Sequence, residues 1–596
     1  MWRTRSGHET GAGPEALAGP EARWTINPLL TCNARMRIPT LASVPKSFTF
    51  CPIAFVVFLG CSARPSEQTT SQKAPLYNNL GTHHHPISTS SPEAQKYFDQ
   101  GFTLSYAFNH AEAIRAFRQA AALDPSCAMC FWGVAFALGP NINAPITEDA
   151  AKQAFQAIED ARARGGKVSE NERAYIDALA KRYSDNPRAE RAPLDAAYAA
   201  AMRNVVKRFP DDLDAATLFA QSLMDTSPWN YWNLDGTPRT FTNEVLAALE
   251  SVLQRKADHL GAIHLYIHAV EASPDPRRAE AYADKLPALA PGAGHLVHMP
   301  AHIYLRVGRY DEASAANQRA IKADEAYFAG DAVAGNMMYQ VGYLPHNFHF
   351  FVTSASMEGR RADALKAANE VRARMPAEML RDPAMAGMVQ HMQLTPLFAK
   401  VRFGMWTEVL AEPAPPDDLR YMSAMWHAAR GLAHAAEHRP QDARKELAAV
   451  AALKDDGSLK TLYVSNVNAA SSIVAIAYEI LAGQLAATER RGDEAVRHFA
   501  AAVTFEDGLT YMEPPDWPIP ARELQGAALL ELGRAKEAEA AFRADLQKFP
   551  DNGWSLSGLL ASLTRQRRTA EAADIRMRLD DKWQRADAEV RAARPN

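Results

Sequence analysis

The sequence of 596 residues predicts an all-α fold built from repeated pairs of helices. Alanine-rich stretches such as AEAIRAFRQAAAL favour helix, and prolines follow at the points where such stretches end. Two segments, 94–127 and 519–552, also share one pattern of small, aromatic and proline residues over 34 positions. Self-similarity at such a period indicates stacked repeat units rather than several independent domains.

The composition excludes several classes of protein. Hydrophobic residues make up 47% of the chain and charged residues 22%, which excludes wholesale disorder and a polytopic membrane protein. The formal net charge is -4, so we expect no nucleic-acid partner. Five cysteines are too few for a disulfide scaffold in a chain of this length. We find no Walker A, HExxH or GxSxG motif, which argues against a nucleotide enzyme, a zincin or a serine hydrolase.

The N-terminal segment has the layout of an export signal. Residues 1–35 show no periodicity and are interpreted as a non-native upstream extension. Residues 36–60 combine a positive region with the apolar stretch FCPIAFVVFLG, which predicts a signal peptide. Export without a lipid and a chance apolar patch in a cytosolic protein are the alternatives.

Cys61 follows this apolar stretch in a setting that resembles a bacterial lipobox. The resemblance implies lipidation of Cys61, which would be the only attachment to a membrane. Residues 61–91 then read as a polar tether. We therefore expect a membrane-anchored lipoprotein in the bacterial periplasm.

The two matching segments agree position by position. Glycine, alanine, phenylalanine and proline fall at positions 8, 20, 24 and 32 of both, as Gly101, Ala113, Phe117 and Pro125 and as Gly526, Ala538, Phe542 and Pro550. This pattern resembles the tetratricopeptide repeat (TPR). The resemblance implies a right-handed α-solenoid superhelix, in which phenylalanine fills the gap between the two helices of a unit. The chain also looks like large exported bacterial proteins of this superfamily, which implies no particular activity.

The repeat register divides the rest of the chain. It fits less cleanly at 260–293, 294–327, 345–378 and 390–423. We expect N-terminal repeat units over 92–224, an aromatic loop and helix over 225–259, histidine-lined units over 260–423 and C-terminal units over 424–585.

The histidines follow this register. Of 18 histidines, seven lie between positions 264 and 349. His264 and His268 are four residues apart on one helical face, and the same pair recurs 34 residues later as His298 and His302. The TPR resemblance places positions 2, 5 and 9 of each unit on the concave groove. It therefore implies that eight histidines share that groove: His264, His268, His295, His298, His302, His346, His349 and His391.

Such a cluster favours a metal site. Protonated histidines would repel one another, whereas neutral imidazoles around a divalent cation would not. All-nitrogen ligation suits zinc, copper or nickel, with zinc or copper expected, and a carboxylate from Glu271 would admit iron or manganese. The role would be metal handling or a metal-dependent reaction, and the sequence does not decide whether the protein is an enzyme. The alternatives are a structural polar network and an interaction scaffold whose groove binds a peptide or partner protein.

Other patterns carry less information. Cys127 and Cys130 form a CxxC that is compatible with a disulfide, with redox or metal-binding work, or with two packed thiols. His83, His84 and His85 are interpreted as a solvated trio in the tether, with extra metal ligands as the alternative. Two aromatic loops, 225–239 and 511–520, either rim a ligand pocket or pack against the array; their aromatic residues are Trp229, Tyr231, Trp232 and Trp517.

Overall fold

A computed structural model describes residues 73–330, 336–465 and 467–592. The predicted upstream extension, signal peptide and lipidation site at Cys61 lie outside these ranges. The described chain is all-α apart from a short antiparallel pairing of β1 (Tyr463–Val464) with β2 (Asn468–Ala469). The N-terminal helices are α1 (Pro92–Tyr106), α2 (His110–Leu123), α3 (Ala128–Leu138), α4 (Glu148–Arg164), α5 (Glu170–Leu179), α6 (Arg191–Arg208), α7 (Leu213–Asp225) and α8 (Thr242–Arg255).

The central part of the chain carries the histidines. Its helices are α9 (Leu260–Val270), α10 (Glu280–Ala283), α11 (Leu286–Leu289), α12 (Gly294–His298), α13 (Pro300–Val307), α14 (Tyr310–Ala329), α15 (Leu344–Met357), α16 (Arg361–Arg374), α17 (Ala386–Gln393), α18 (Thr395–Arg402) and α19 (Trp406–Leu410). The C-terminal helices are α20 (Arg420–Ala436), α21 (Pro440–Lys454), α22 (Ser458–Thr461), α23 (Ala470–Thr488), α24 (Gly492–Asp507), α25 (Ala521–Glu531), α26 (Ala535–Lys548), α27 (Gly553–Arg565), α28 (Thr569–Lys582) and α29 (Ala588–Ala592). Four short 3-10 turns complete the described helices: Gly165–Lys167, Ala180–Arg182, Pro276–Ala279 and Ala377–Arg381. One π-helical turn spans Met338–Tyr343.

Helices pack mainly against their neighbours in sequence, as in a solenoid. The pairs α1–α2, α3–α4, α15–α16 and α25–α26 are helical hairpins, and successive hairpins stack on one another. This arrangement confirms the predicted TPR-like all-α solenoid.

The repeat positions predicted from sequence account for the closest helix contacts. Phe117 lies between Gly101 and Gly133, where an added Cβ atom would approach its ring to 2.8 and 2.4 Å. Phe542 occupies the same place between Gly526 and Gly558, with corresponding distances of 2.6 and 2.2 Å. Glycine is therefore required at these positions by the phenylalanine that fills the gap between the helices.

Gly133→Ala is expected to destabilise the N-terminal units by about 1–3 kcal/mol, because the new methyl group overlaps the ring of Phe117. Gly166→Ala is the matched control, since an added Cβ atom there meets nothing within 4 Å. Thermal denaturation of both variants checks the prediction. Equal melting temperatures for the two would contradict this account of the packing.

Two sequence predictions need correction. The unit predicted at 260–293 lacks a continuous second helix and instead contains α10, α11 and a 3-10 turn, because Pro274, Pro276 and Pro287 interrupt it. The predicted tether does not hold over residues 73–91, which we call the strap. Ala74 and Leu80 are buried, and the hydroxyl of Tyr97 donates to the carbonyl of Ala74 at 2.8 Å. Apolar side chains within this polar segment thus fix it to the first helices.

Contacts between distant units close the interior of the array. The indole N–H groups of Trp554 and Trp583 donate to the carbonyls of Ser356 and Met357 at 2.8 and 3.0 Å. Asn143 donates to the hydroxyl of Tyr343 at 3.0 Å. These contacts join helical units that are far apart in the sequence.

One helix in the described part of the chain, α23, is long and apolar enough to span a membrane. Of its most apolar window, 61% is buried, and the helix packs against α20, α21 and α24. Its hydrophobicity is therefore explained by its position in the core of the C-terminal units.

Candidate metal centre

Six of the eight predicted histidines meet in the interior. Helix α9 supplies His264 and His268, α12 and α13 supply three more, and α15 supplies the sixth. Five of the six are at most 3% exposed, and His346 is half-buried. We call the six the histidine cluster: His264, His268, His295, His298, His302 and His346.

The cluster divides into two groups of three. The first triad is His264, His268 and His295, and the second triad is His298, His302 and His346; within each, one nitrogen per residue lies within 4.8 Å of the others. The Nε2 atoms of His264 and His295 are 3.1 Å apart, and those of His298 and His302 are 2.9 Å apart. Two imidazole ligands of one tetrahedral ion with bonds of about 2.0–2.1 Å place their nitrogens roughly 3.3 Å apart. Both spacings are close to that value.

Four of the six histidines of the cluster, namely His264, His268, His298 and His302, have a hydrogen-bond acceptor behind Nδ1. His264 Nδ1 donates to the carbonyl of Tyr106 at 2.6 Å, and His298 Nδ1 donates to Oδ1 of Asn317 at 2.7 Å. The side-chain amide of Asn317 donates to the Ala313 carbonyl, which leaves its oxygen facing the imidazole. Metal-binding histidines usually hold their second ring nitrogen in this way.

Glu271 holds a histidine of each triad. Its Oε1 accepts from His268 Nδ1 at 2.9 Å, and its Oε2 accepts from His302 Nδ1. Because His298 and His302 both have an acceptor behind Nδ1, their facing Nε2 atoms are both acceptors and need a proton or a metal ion between them. A shared proton can join only two nitrogens. It would therefore leave the third nitrogen of a triad without a partner, and His268 Nε2 is indeed buried without a hydrogen-bond partner. His295 departs from the pattern, since its Nδ1 also lacks a partner.

Burial favours the neutral form of five imidazoles of the cluster. Burial and neighbouring imidazoles lower the pKa of His264, His295 and His346 well below the usual histidine range. Burial and neighbouring imidazoles also lower the pKa of His298 well below this range. Burial lowers the pKa of His268, although the hydrogen bond to Glu271 raises it. Neutral imidazole is the form that binds a metal.

A second carboxyl group reaches the cluster from the loop 511–520. Glu513 Oε2 lies 3.8 Å from His302 Nδ1 and is buried without a hydrogen-bond partner. Burial and the charge of Glu271 raise the pKa of Glu513 well above its usual range. Burial also disfavours the charge of Glu271, yet His302 and His268 hold the pKa of Glu271 below its usual range. Arg306 donates to the backbone carbonyl of Glu271.

Aromatic rings surround the cluster. Of the predicted aromatic residues, Trp229 contacts it, with its ring centroid 5.0 Å from that of His268. Tyr231 is buried, Trp232 donates to the Ala269 carbonyl, and Trp517 packs in the core of the C-terminal units. The sequence did not single out three further rings that contact the histidines: Phe108, Tyr343 and Phe350.

His349 and His391 lie apart from both triads. Their ring centroids are 5.9 Å from each other, and His391 Nδ1 lies 2.8 Å from the hydroxyl of Tyr421. Burial lowers the pKa of His349 to about 4 and that of His391 to about 3. The predicted set of eight therefore resolves into six clustered histidines and one separate pair.

Cys127 and Cys130 are joined by a disulfide, as one of the three sequence interpretations has it. The backbone N–H of Cys130 also donates to Sγ of Cys127, so the pair caps the start of α3. No cluster histidine takes part in these contacts.

A separate polar cluster fixes the strap. Asp214 receives the hydroxyl of Tyr106 at 2.8 Å and lies within 3.2 Å of ring nitrogens of His83, His85 and His259. We call these five residues the strap clasp.

The clasp combines hydrogen bonds to Asp214 from Tyr106, His85 and His259 with an ion-pair contact from His83. His259 Nδ1 accepts the N–H of Ala262 at 3.2 Å, so its Nε2 carries the proton and donates to Asp214. His83 and His85 are thus not solvated, contrary to the interpretation from sequence, whereas the side chain of His84 is 57% exposed. Tyr106 connects the clasp to the cluster, because its carbonyl accepts from His264.

The comparisons with known proteins give distant similarities. No protein-family model and no curated protein matches it. It is similar to the Cut9–Hcn1 hetero-tetramer of the APC/C, at 13% identity over 84% of this chain and 75% of that one, with a TM-score of 0.26. Human IFIT1 with m7Gppp-AAAA gives 11% identity, coverage of 83% and 90%, and a TM-score of 0.28. Naa15/Naa10 bound to HypK-THB gives 10% identity over 84% of this chain and 90% of that one, with a TM-score of 0.23.

Proposed function

We propose that the histidine cluster binds transition-metal ions, one in each triad, and that the solenoid exists to hold them. The observation that carries this proposal is the orientation of the rings. Nδ1 atoms are taken up by Tyr106, Asn317 and Glu271, while Nε2 atoms converge in the interior. The buried Nε2 of His268 has no hydrogen-bond partner and is available to an ion in the first triad.

Zinc and copper suit this site best, because each triad offers three imidazole nitrogens and leaves a fourth position open. Such a position suits metal transfer and equally suits a metal-dependent reaction in which an ion polarises a substrate or activates water. Glu271 would orient one ligand of each ion. Export, lipidation at Cys61 and the periplasmic location stay predictions from the sequence.

The alternative of an interaction scaffold does not need the histidines. Five of the cluster histidines are at most 3% exposed, so a peptide or partner protein would have to bind another face of the array. That partner stays a prediction, and the geometry of the cluster favours the metal.

When the untagged chain is purified in the presence of zinc or copper, we expect it to contain about two metal ions. Mass spectrometry of the metals measures this content. The double variant His298→Ala/His302→Ala should keep about one ion, since the first triad is intact. His349→Ala is the matched control, a buried histidine outside both triads, and should keep two. Less than a tenth of an ion per wild-type chain, before and after loading, would contradict the proposal.

A further inference from the structure

The two triads are neighbours, and this bears on how two bound ions would behave. The rings of His268 and His302, one from each triad, have centroids 5.5 Å apart, and those of His295 and His298 are 6.0 Å apart. The rings within one triad are spaced similarly, at 4.8 Å for His264 and His268. Distances between the triads are thus comparable to distances inside them.

Glu271 connects the triads directly. One of its oxygens accepts from His268 and the other from His302. A metal ion withdraws electron density from its imidazole ligand and strengthens the Nδ1–H donor behind it. Because one carboxylate accepts from both triads, binding at the first site alters the acceptor available to the second.

Two bound divalent ions would leave a positive charge in the cluster that an anion would balance. Six imidazoles are neutral ligands, so two divalent ions would bring four positive charges into a buried, aromatic setting. Glu271 and Glu513 supply at most two negative charges, and the guanidinium of Arg306 behind Glu271 adds a positive one. An uncompensated charge in such surroundings is costly.

The free coordination positions can accept that anion. Three ligands leave one position open at each ion, so an anion between the two ions satisfies both at once. Because five of the six ligand residues are at most 3% exposed, the anion must be small.

Resting on the proposed function, we infer that the two triads form one two-metal centre that binds a single small inorganic anion between its ions. Hydroxide and azide are of the required size and charge. The centre differs from two independent sites in three respects: the anion stoichiometry, the magnetic coupling of the ions and their shared dependence on Glu271.

Copper(II) loading followed by azide titration tests this inference on the untagged chain. We expect two coppers per chain, one azide per copper pair and an electron paramagnetic resonance signal that accounts for well under half of the bound copper. His298→Ala/His302→Ala should bind one copper with full signal intensity and bind azide about tenfold more weakly. His349→Ala should behave as the wild type does.

Two copper ions with full signal intensity and one azide for each ion would overturn the inference while leaving the proposed function intact. Failure of the wild-type chain to bind copper at all would instead overturn the proposed function. The two failures are therefore distinct.

Discussion

Glu271→Gln is expected to lower the metal affinity of both triads by about 10–100-fold, because a residue behind the ligands orients them. Glutamine keeps one acceptor oxygen, but its amide N–H group would face the Nδ1–H of the other histidine. One of His268 and His302 then loses its acceptor and rotates more freely, and the charge that favours two cations is removed.

Competition with a chelator of known affinity measures this effect for zinc. Glu506→Gln is the matched control, a buried carboxylate whose partners are the backbone of Ala521 and the side chain of Lys548. It should bind zinc with wild-type affinity. If Glu271→Gln retained wild-type affinity at both sites, Glu271 would not be the shared support of the triads.

Asp214→Asn is expected to release the strap, with a loss of about 3–5 kcal/mol in the free energy of its local opening. The carboxylate serves three imidazoles and the hydroxyl of Tyr106 in a buried setting. Asparagine would turn an N–H group towards donors. Hydrogen exchange of peptides that cover residues 73–91 measures the opening.

The loss of free energy of strap opening caused by Asp214→Asn should depend on pH. Burial works against both charges, yet hydrogen bonds from His259, His83 and His85 hold the pKa of Asp214 well below its usual range, and Asp214 raises the pKa of His85. The Asp214 contribution is present above its unfolded pKa of about 3.9 and is lost as pH falls through the folded value. The His85 contribution is complete below its unfolded pKa of about 6.5 and is lost as pH rises through the folded value.

The difference between wild type and Asp214→Asn should therefore be largest from about pH 4 to 6.5 and smaller near pH 9. His84→Gln is the control and should cost at most about 1 kcal/mol, because its ion pair with Asp99 is largely exposed. A difference that is constant over this range, or equal effects of the two substitutions, would show that the clasp is not an ionic contact.

The repeat register explains why six of the predicted histidines lie close together. A helical unit that recurs every 34 residues places His264 and His298, and likewise His268 and His302, at equivalent points of adjacent units. Position 2 of the following unit then brings His295 to the first triad and His346 to the second. Local spacing is enough here because neighbouring units pack in a fixed way.

The remaining features depend on contacts that spacing cannot show. His349 shares a helix with His346, but its imidazole meets His391 of the next unit. Glu513 arrives on a loop far along the chain, and the Tyr106 carbonyl belongs to the first helix of the array. Closure of the solenoid brings these groups to the cluster. The apolar residues Ala74 and Leu80 of the strap become buried, which the polar character of the segment did not indicate.

Anomalous diffraction from crystals of the zinc-loaded chain at the zinc absorption edge tests the central claim most directly. We predict two anomalous peaks, one in contact with the Nε2 atoms of His264, His268 and His295 and the other with Nε2 atoms of the second triad. A single peak between His268, Glu271 and His302 on their Nδ1 side, or no peak at the histidines, would contradict the account.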